Sequence, residues 1–176
     1  MGWMGAAQHS SKGETWAGAA VYTSQSDFCR LFKEDMAGLY LLSLLLTADP
    51  EQAERCFVAG LDDCVNGNPV FKAWGYAWSR RAIIMNAIRA VFSSGSSMIS
   101  TVPPDEQWKP VGDSPVFSTL RLEPFERFVF VMSLLEGYSD QECSVLLNRS
   151  RAEVASARAS ALQHVAERDG IALLSK

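Results

Sequence analysis

The sequence lacks the residue patterns that mark most catalytic and metal sites. It has only two histidines, and its four cysteines form no close pair of the kind that binds zinc. It has no Gly-rich phosphate loop and no Ser, His and acid set for nucleophilic catalysis. We therefore expect a protein that is not an enzyme, binds no metal and requires no cofactor.

Long apolar runs are absent as well. The longest, residues 40–46, is interrupted by Ser43 and is far shorter than the roughly 20 residues that cross a bilayer. The first nine residues have neither the basic start nor the apolar core of a secretion signal. We expect a cytoplasmic protein with no membrane partner, whose cysteines are reduced and lie in helices.

Basic residues are fewer than acidic ones. The 176 residues include 16 basic and 20 acidic side chains, which give a net charge of −4. The field of the whole protein would therefore not attract nucleic acid, and only a local basic surface could do so.

With 48% hydrophobic residues, the chain has enough apolar side chains to build a core.

The spacing of apolar residues predicts an all-α protein. After a Gly-, Ala- and Ser-rich stretch at 1–26, which we interpret as a flexible tail, three- and four-residue spacing predicts helices at 27–46, 50–65 and 71–92. Asp49 followed by Pro50 is typical of a helix start. In the third helix the same spacing places Trp74 and Trp78 on the buried face.

Residues 93–119 contain a Ser-Gly-Ser run and four prolines, so they are predicted to form an irregular linker. Beyond it, Ser139 with Glu142 and Ser150 with Glu153 form two potential capping boxes. Asn148 lies between them, where the first helix must end in a left-handed turn. The pattern predicts a helix-turn-helix, although a plain helical hairpin would use the same caps.

The surrounding sequence resembles region 4 of the extracytoplasmic-function class of RNA polymerase sigma factors. The family motif contains Leu-Pro-x-x-x-Arg-x-Val-Phe-x-Leu, then Glu-Gly-x-Ser-x-x-Glu-Ile-Ala-x-x-Leu and a Ser- or Thr-capped recognition helix. Matching residues in this chain are Arg127, Val129, Phe130, Leu135, Glu136, Gly137, Ser139, Glu142 and Leu147.

The first half is similar to region 2 of the same family. Residues 45–54 resemble its Leu-Leu-Thr-Gly-Asp-x-x-x-Ala-Glu motif, and Phe71, Trp74 and Arg80 match a second motif. The resemblance implies two small helical domains, a region 2-like domain at 27–92 and a region 4-like domain at 120–176. It also implies a transcription initiation protein whose partners are core RNA polymerase, promoter DNA and an anti-sigma factor.

The resemblance implies two sets of DNA-binding residues. One is at the recognition helix, where Val154, Ala157, Ala161 and Val165 are expected to face inward. The other is at the region 2-like domain, where basic and aromatic side chains would hold unstacked bases. The residues expected to contact DNA are Arg149, Arg151, Ser156 and Arg158 in the first set, and Lys72, Tyr76, Arg80 and Arg81 in the second.

Two departures from the family pattern leave a second hypothesis open. The family's Lys-Ser-Arg on the recognition helix is replaced by residues 155–157, Ala-Ser-Ala, and its polar polymerase-docking sequence by residues 55–59, Arg-Cys-Phe-Val-Ala. The chain could therefore be a degenerate sigma-like protein that has lost promoter recognition. It would then act through contacts with an anti-sigma factor, polymerase or itself.

Overall fold

Helices make up nearly all of the structure, a computed structural model that describes residues 21–92 and 115–168. No strand is present within these ranges, which confirms the prediction of an all-α protein. None of the described helices is long and apolar enough to cross a membrane. The helices are α1 (Gln25–Glu34), α2 (Met36–Thr47), α3 (Pro50–Asn66), α4 (Gly75–Phe92), α5 (Pro115–Leu120), α6 (Pro124–Phe130), α7 (Asp140–Leu147) and α8 (Arg151–Arg168).

The prediction of one helix over 27–46 is wrong, because the chain breaks at Asp35. This residue leaves the helical conformation (φ −112°, ψ 32°), so that α1 ends before it and α2 begins after it. Its side chain lies against the backbone at Gly38, where an added Cβ would be 2.5 Å from Asp35 Oδ1. Gly38 thus leaves the room that the break requires.

Part of the predicted tail is folded. Ser24 and Asp27 form a capping box at the start of α1, and the residues before it pair with the α3–α4 connection. The Thr23 amide donates to the Val70 carbonyl (2.8 Å), and the Lys72 amide donates to the Val21 carbonyl (2.8 Å). The fold therefore includes residues 21–26, whereas residues 1–20 of the predicted tail lie outside the described residues.

Helices α3 and α4 pack closely through small residues. The start of α3 is as predicted, with Asp49 accepting a hydrogen bond from the Gln52 amide (2.8 Å) and Pro50 in the first turn. At Gly60, an added Cβ would lie 2.8 Å from Ile83 Cγ1. The buried residues of α4 are Gly75, Ser79, Ala82, Ile83, Ile84 and Ala87.

This buried face contradicts the prediction that Trp74 and Trp78 lie in the core. The two side chains are 61% and 41% exposed. A 3₁₀ turn, Lys72–Trp74, precedes α4 and places Gly75 against Thr23, so the first buried position is one residue after Trp74. Ser79, one turn later, is buried in place of Trp78. Small and aliphatic residues form the buried face of α4, and Trp74 and Trp78 face outward.

The second half is organised around α6. A π-helix, Val131–Leu135, continues α6, and all residues from 128 to 132 are buried. Helix α8 covers one side and α2 of the first half packs on the other. Phe130 and Val131 are buried, whereas Leu134 on the same segment is exposed. Helix α5 begins inside the predicted linker, of which residues 93–114 lie outside the described residues.

A buried arginine joins the two halves. Arg127 donates hydrogen bonds to the carbonyls of Leu46 (3.1 Å), Thr47 (3.3 Å) and Leu122 (2.9 Å), and so binds the carboxyl end of α2. Burial lowers the pKa of Arg127 to about 10, so it stays protonated at neutral pH. The Phe92 and Phe128 rings, 4.9 Å apart, add an apolar contact between the halves.

The cysteines are free thiols, as the sequence predicted. Cys56, Cys64 and Cys143 are buried, whereas Cys29 is exposed. Burial raises the pKa of Cys64 and of Cys143 to about 11, which keeps both protonated and unreactive at neutral pH. No group of His, Cys, Asp and Glu in the described parts of the chain could hold a metal ion.

Candidate nucleic-acid interface

Helices α7 and α8 occupy the two positions that the helix-turn-helix prediction requires, with a short turn between them. At the start of α7, the Ser139 amide donates to Glu142 Oε2 (2.8 Å) while the Glu142 amide donates to Ser139 Oγ (3.3 Å). Asn148 ends α7 in the left-handed conformation (φ 51°, ψ 50°). Both the capping box and the role of Asn148 are therefore confirmed.

The second capping box starts α8. The Ser150 amide donates to Glu153 Oε2 (2.8 Å), and the Glu153 amide donates to Ser150 Oγ (3.2 Å). The hydrogen bonds from Ser139 and Ser150 lower the pKa of Glu142 and of Glu153 respectively, because they favour the carboxylate form. Each cap thus places a negative charge at the positive end of a helix.

The inward and outward faces of α8 are as predicted. Val154, Ala157 and Ala161 are buried, and Val165 is partly buried. The outward residues form a surface, here called the α8 face, that consists almost entirely of small uncharged side chains. It comprises Arg151, Ala152, Ala155, Ser156 and Ala159, all exposed.

Two of the three arginines predicted to bind DNA near α8 have acidic partners. Arg158 donates to Asp140 Oδ1 (2.6 Å), and its side chain is only 37% exposed. Arg149 Nη1 lies 3.8 Å from Glu153 Oε1, and the Arg149 guanidinium lies over the Phe125 ring. Arg151 is exposed and forms no ion pair with another described residue. It is the cation of this set that is available to bind a phosphate.

The predicted residues of the first half are also partly engaged. Lys72 is exposed but lies 3.3 Å from Asp27. Tyr76 is exposed and accepts a hydrogen bond from Arg80 (3.0 Å). Arg80 is half-buried in a bidentate contact with Glu136 of the second half. Arg81 is exposed. Burial raises the pKa of the nearby Tyr138 hydroxyl, and Arg81 partly offsets this effect.

Three aromatic residues form an exposed surface that the sequence did not predict, here called the aromatic platform. The rings of Tyr22 and Phe71 stack with centroids 4.8 Å apart, and the Trp74 ring meets Phe71 edge-on at 5.1 Å. All three side chains are more than a third exposed. Lys72 follows Phe71 directly, so a positive charge lies beside exposed rings.

The sequence does not indicate the aromatic platform for two reasons. Tyr22 lies in the predicted tail, and the spacing of apolar residues predicts Trp74 in the core. A signal was present, since the chain has four aromatic residues between 71 and 78, more than one helix face can bury.

The surface of α3 that corresponds to the family's polymerase-docking sequence is also described. Within residues 55–59, Cys56 is buried, whereas Arg55 and Val58 are exposed. Arg55 forms an ion pair with Glu51. This surface therefore offers one paired charge and an exposed aliphatic residue, rather than the polar groups of the family pattern.

Together these features provide a stacking surface in the first half and a nearly neutral helix face in the second. Aromatic rings accept bases of any sequence, whereas a duplex requires cations for its phosphates. No protein-family model matches the chain, and no curated protein matches it closely enough to be counted as a relative.

Proposed function

We propose that this chain is a sigma-factor-like transcription initiation protein that binds core RNA polymerase and promoter DNA. Its main DNA contact would be with unpaired bases at the aromatic platform, and its recognition helix would contact the duplex weakly. The observation that carries the proposal is the exposure of Tyr22, Phe71 and Trp74 next to Lys72.

Stacking explains why these rings would be exposed. Large apolar side chains in contact with water lose the free energy that burial would give. A base laid on Trp74 or Tyr22 would recover part of it, at about 1–3 kcal/mol per stacked base. Lys72 lies 3.3 Å from Asp27, so a phosphate would compete with this carboxylate for the ammonium group.

The recognition helix supports a smaller contribution. Its two capping boxes and the left-handed Asn148 are compatible with a helix-turn-helix, but Arg151 is the one basic side chain on the α8 face, and Arg149 and Arg158 have acidic partners. Few phosphates can be neutralised by such a surface, and each one matters for duplex affinity. Duplex binding is therefore expected to be weak and to depend strongly on salt.

A second candidate is favoured by the same pairing of arginines. In it the chain is a degenerate sigma-like protein that acts through contacts with an anti-sigma factor, polymerase or a second copy of itself. The Ala- and Ser-rich α8 face and the exposed Val58 on α3 would then meet protein instead of DNA.

Co-purification with core RNA polymerase from the native host, at moderate salt, tests the proposal. Recovery of polymerase subunits together with binding of the purified chain to a single-stranded oligonucleotide is the expected result. Recovery without any DNA binding would favour the second candidate. Absence of both would contradict the sigma-like function.

A further inference from the structure

Arg80 of α4 forms an ion pair with a glutamate of the second half, 56 residues further along the chain. Its Nε donates to Glu136 Oε2 (2.6 Å), and its Nη2 donates to Glu136 Oε1. The two side chains are only 22% and 7% exposed. This fork-to-fork geometry is the strongest form of contact between a guanidinium and a carboxylate.

Other groups complete the environment of Arg80. Its Nη1 donates to the Tyr76 hydroxyl (3.0 Å) and lies 3.8 Å from Asp35 Oδ2. Its guanidinium also lies 5.5 Å from the centroid of the Tyr76 ring. All three of its nitrogens are therefore engaged, and the fork of Nε and Nη2 is occupied while Glu136 is in place.

The neighbouring basic residue is not held in this way. Arg81 is exposed, and its charge makes only a minor contribution to the lowered pKa of Glu142, whose main cause is the hydrogen bonds from Ser139. Glu136 thus engages one of the four first-half residues that the resemblance assigns to DNA. Lys72, Tyr76 and Arg81 remain exposed.

The segment that carries Glu136 has an unusual backbone on both sides. It follows directly after the π-helix Val131–Leu135 and precedes Gly137, which adopts a positive φ of 73°. π-helical turns are rare and frequent at functional sites. Meanwhile Arg127 and the Phe92–Phe128 contact hold the halves together elsewhere. Release of Glu136 therefore requires a local movement rather than separation of the halves.

We propose that the contact of Arg80 with Glu136 is an autoinhibitory clasp, which masks the Arg80 guanidinium until single-stranded DNA displaces the glutamate. The proposal rests on the proposed function and describes the regulation of the same DNA-binding half. A phosphate and a carboxylate both accept two parallel hydrogen bonds from a guanidinium, so they compete for Arg80. DNA shifts the equilibrium because it binds the open form more tightly than the closed form.

The test measures binding of the full chain to a labelled thymidine oligonucleotide of about 16 nucleotides. Glu136→Gln frees Arg80 and should tighten binding about fivefold, with a plot of log affinity against log salt that is steeper by about 0.7. The matched control is Glu51→Gln, which removes the same charge from the exposed ion pair with Arg55. It should change affinity less than twofold.

Two further variants separate the clasp from a general effect of charge or folding. Glu136→Asp keeps the charge but shortens the side chain, so it should give a smaller gain in the same direction. In the double variant Arg80→Gln with Glu136→Gln the gain should disappear, because the released cation is no longer present. Circular dichroism establishes that each variant is folded before its affinity is compared.

The outcomes distinguish the clasp from the function on which it rests. If the wild type binds the oligonucleotide but Glu136→Gln and Glu136→Asp bind no more tightly than Glu51→Gln, the clasp is overturned and the proposed function stands. A gain that persists without Arg80 also overturns it. If neither the wild type nor any Glu136 variant binds, the proposed function fails and the clasp fails with it.

Discussion

The two halves of the molecule expose different kinds of side chain, although both bury large apolar residues. In the first half, Gly60 of α3 packs against Ile83 of α4, and the large aromatic residues Tyr22, Phe71 and Trp74 are left in contact with water. In the second half, Phe128 and Met132 are fully buried and the α8 face is left with Ala and Ser. The first half therefore has a surface suited to stacking, whereas the α8 face has little of the positive charge that a duplex requires.

The largest effect is expected where the halves meet. Arg127→Met removes three hydrogen bonds from a buried cation and leaves the carbonyls at the end of α2 without their donor. The free energy of unfolding should fall by about 3 kcal/mol or more. The control, Arg121→Met at an exposed position, should change it by less than about 0.5 kcal/mol. Equal losses in the two variants would mean that the halves fold independently of this contact.

A smaller effect is expected at the cap of α8. Ser150→Ala removes the hydroxyl that accepts from the Glu153 amide, and it should lower the free energy of unfolding by about 0.5–2 kcal/mol. Ser156→Ala, on the exposed α8 face, is the matched control and should have almost no effect. Denaturant unfolding measures both. A cap variant as stable as the control would place the start of α8 elsewhere.

The two caps also predict how stability depends on pH. In the folded protein the pKa of Glu142 and of Glu153 lies below the ordinary value of 4.5, so each carboxylate contributes stability above pH 4.5. This contribution is lost as the pH falls through the folded pKa. The melting temperature of the double variant Glu142→Gln with Glu153→Gln should therefore be below that of the wild type at pH 7. The difference should shrink below pH 4.5, and a constant difference would exclude a role for the ionised form.

The smallest predicted change concerns how strongly the α8 face binds duplex DNA. Ala155→Lys with Ala159→Lys adds two cations to the α8 face, where both positions are exposed. If α8 enters a DNA groove, the slope of log affinity against log salt for duplex DNA should steepen by about 0.9 per new contact. The neutral pair Ala155→Gln with Ala159→Gln is the control. Ser160 is unsuitable for this test because its hydroxyl donates to Glu126 (2.6 Å).

Local signals in the sequence predicted the second half better than the first. Ser139, Ser150 and Asn148 act within a few residues of themselves, so their roles follow from spacing alone. The burial of α4 could not be predicted in this way, because it depends on which residues fit against Gly60 of another helix. The same applies to Tyr22, whose position is set by pairing with the α3–α4 connection.

The pairing of the predicted DNA-binding arginines was also beyond the sequence. Arg80 meets Glu136 across 56 residues, and Arg158 meets Asp140 across 18. A sequence pattern gives the type and the helical face of a side chain, but only the packing of helices determines its charged partner. Of the eight residues predicted to contact DNA, the positions of all are now described, whereas their role in binding DNA stays a prediction.

The most direct test compares single substitutions for their effect on single-stranded DNA binding. Trp74→Ala removes a ring of the aromatic platform and should weaken binding by about 1–3 kcal/mol, with little loss of folding stability because the side chain is exposed. Trp78→Ala, exposed but outside the platform, and Arg151→Ala on the α8 face should each weaken it much less. An equal loss in all three variants, or the largest loss in Arg151→Ala, would contradict the assignment of the main DNA contact to the platform.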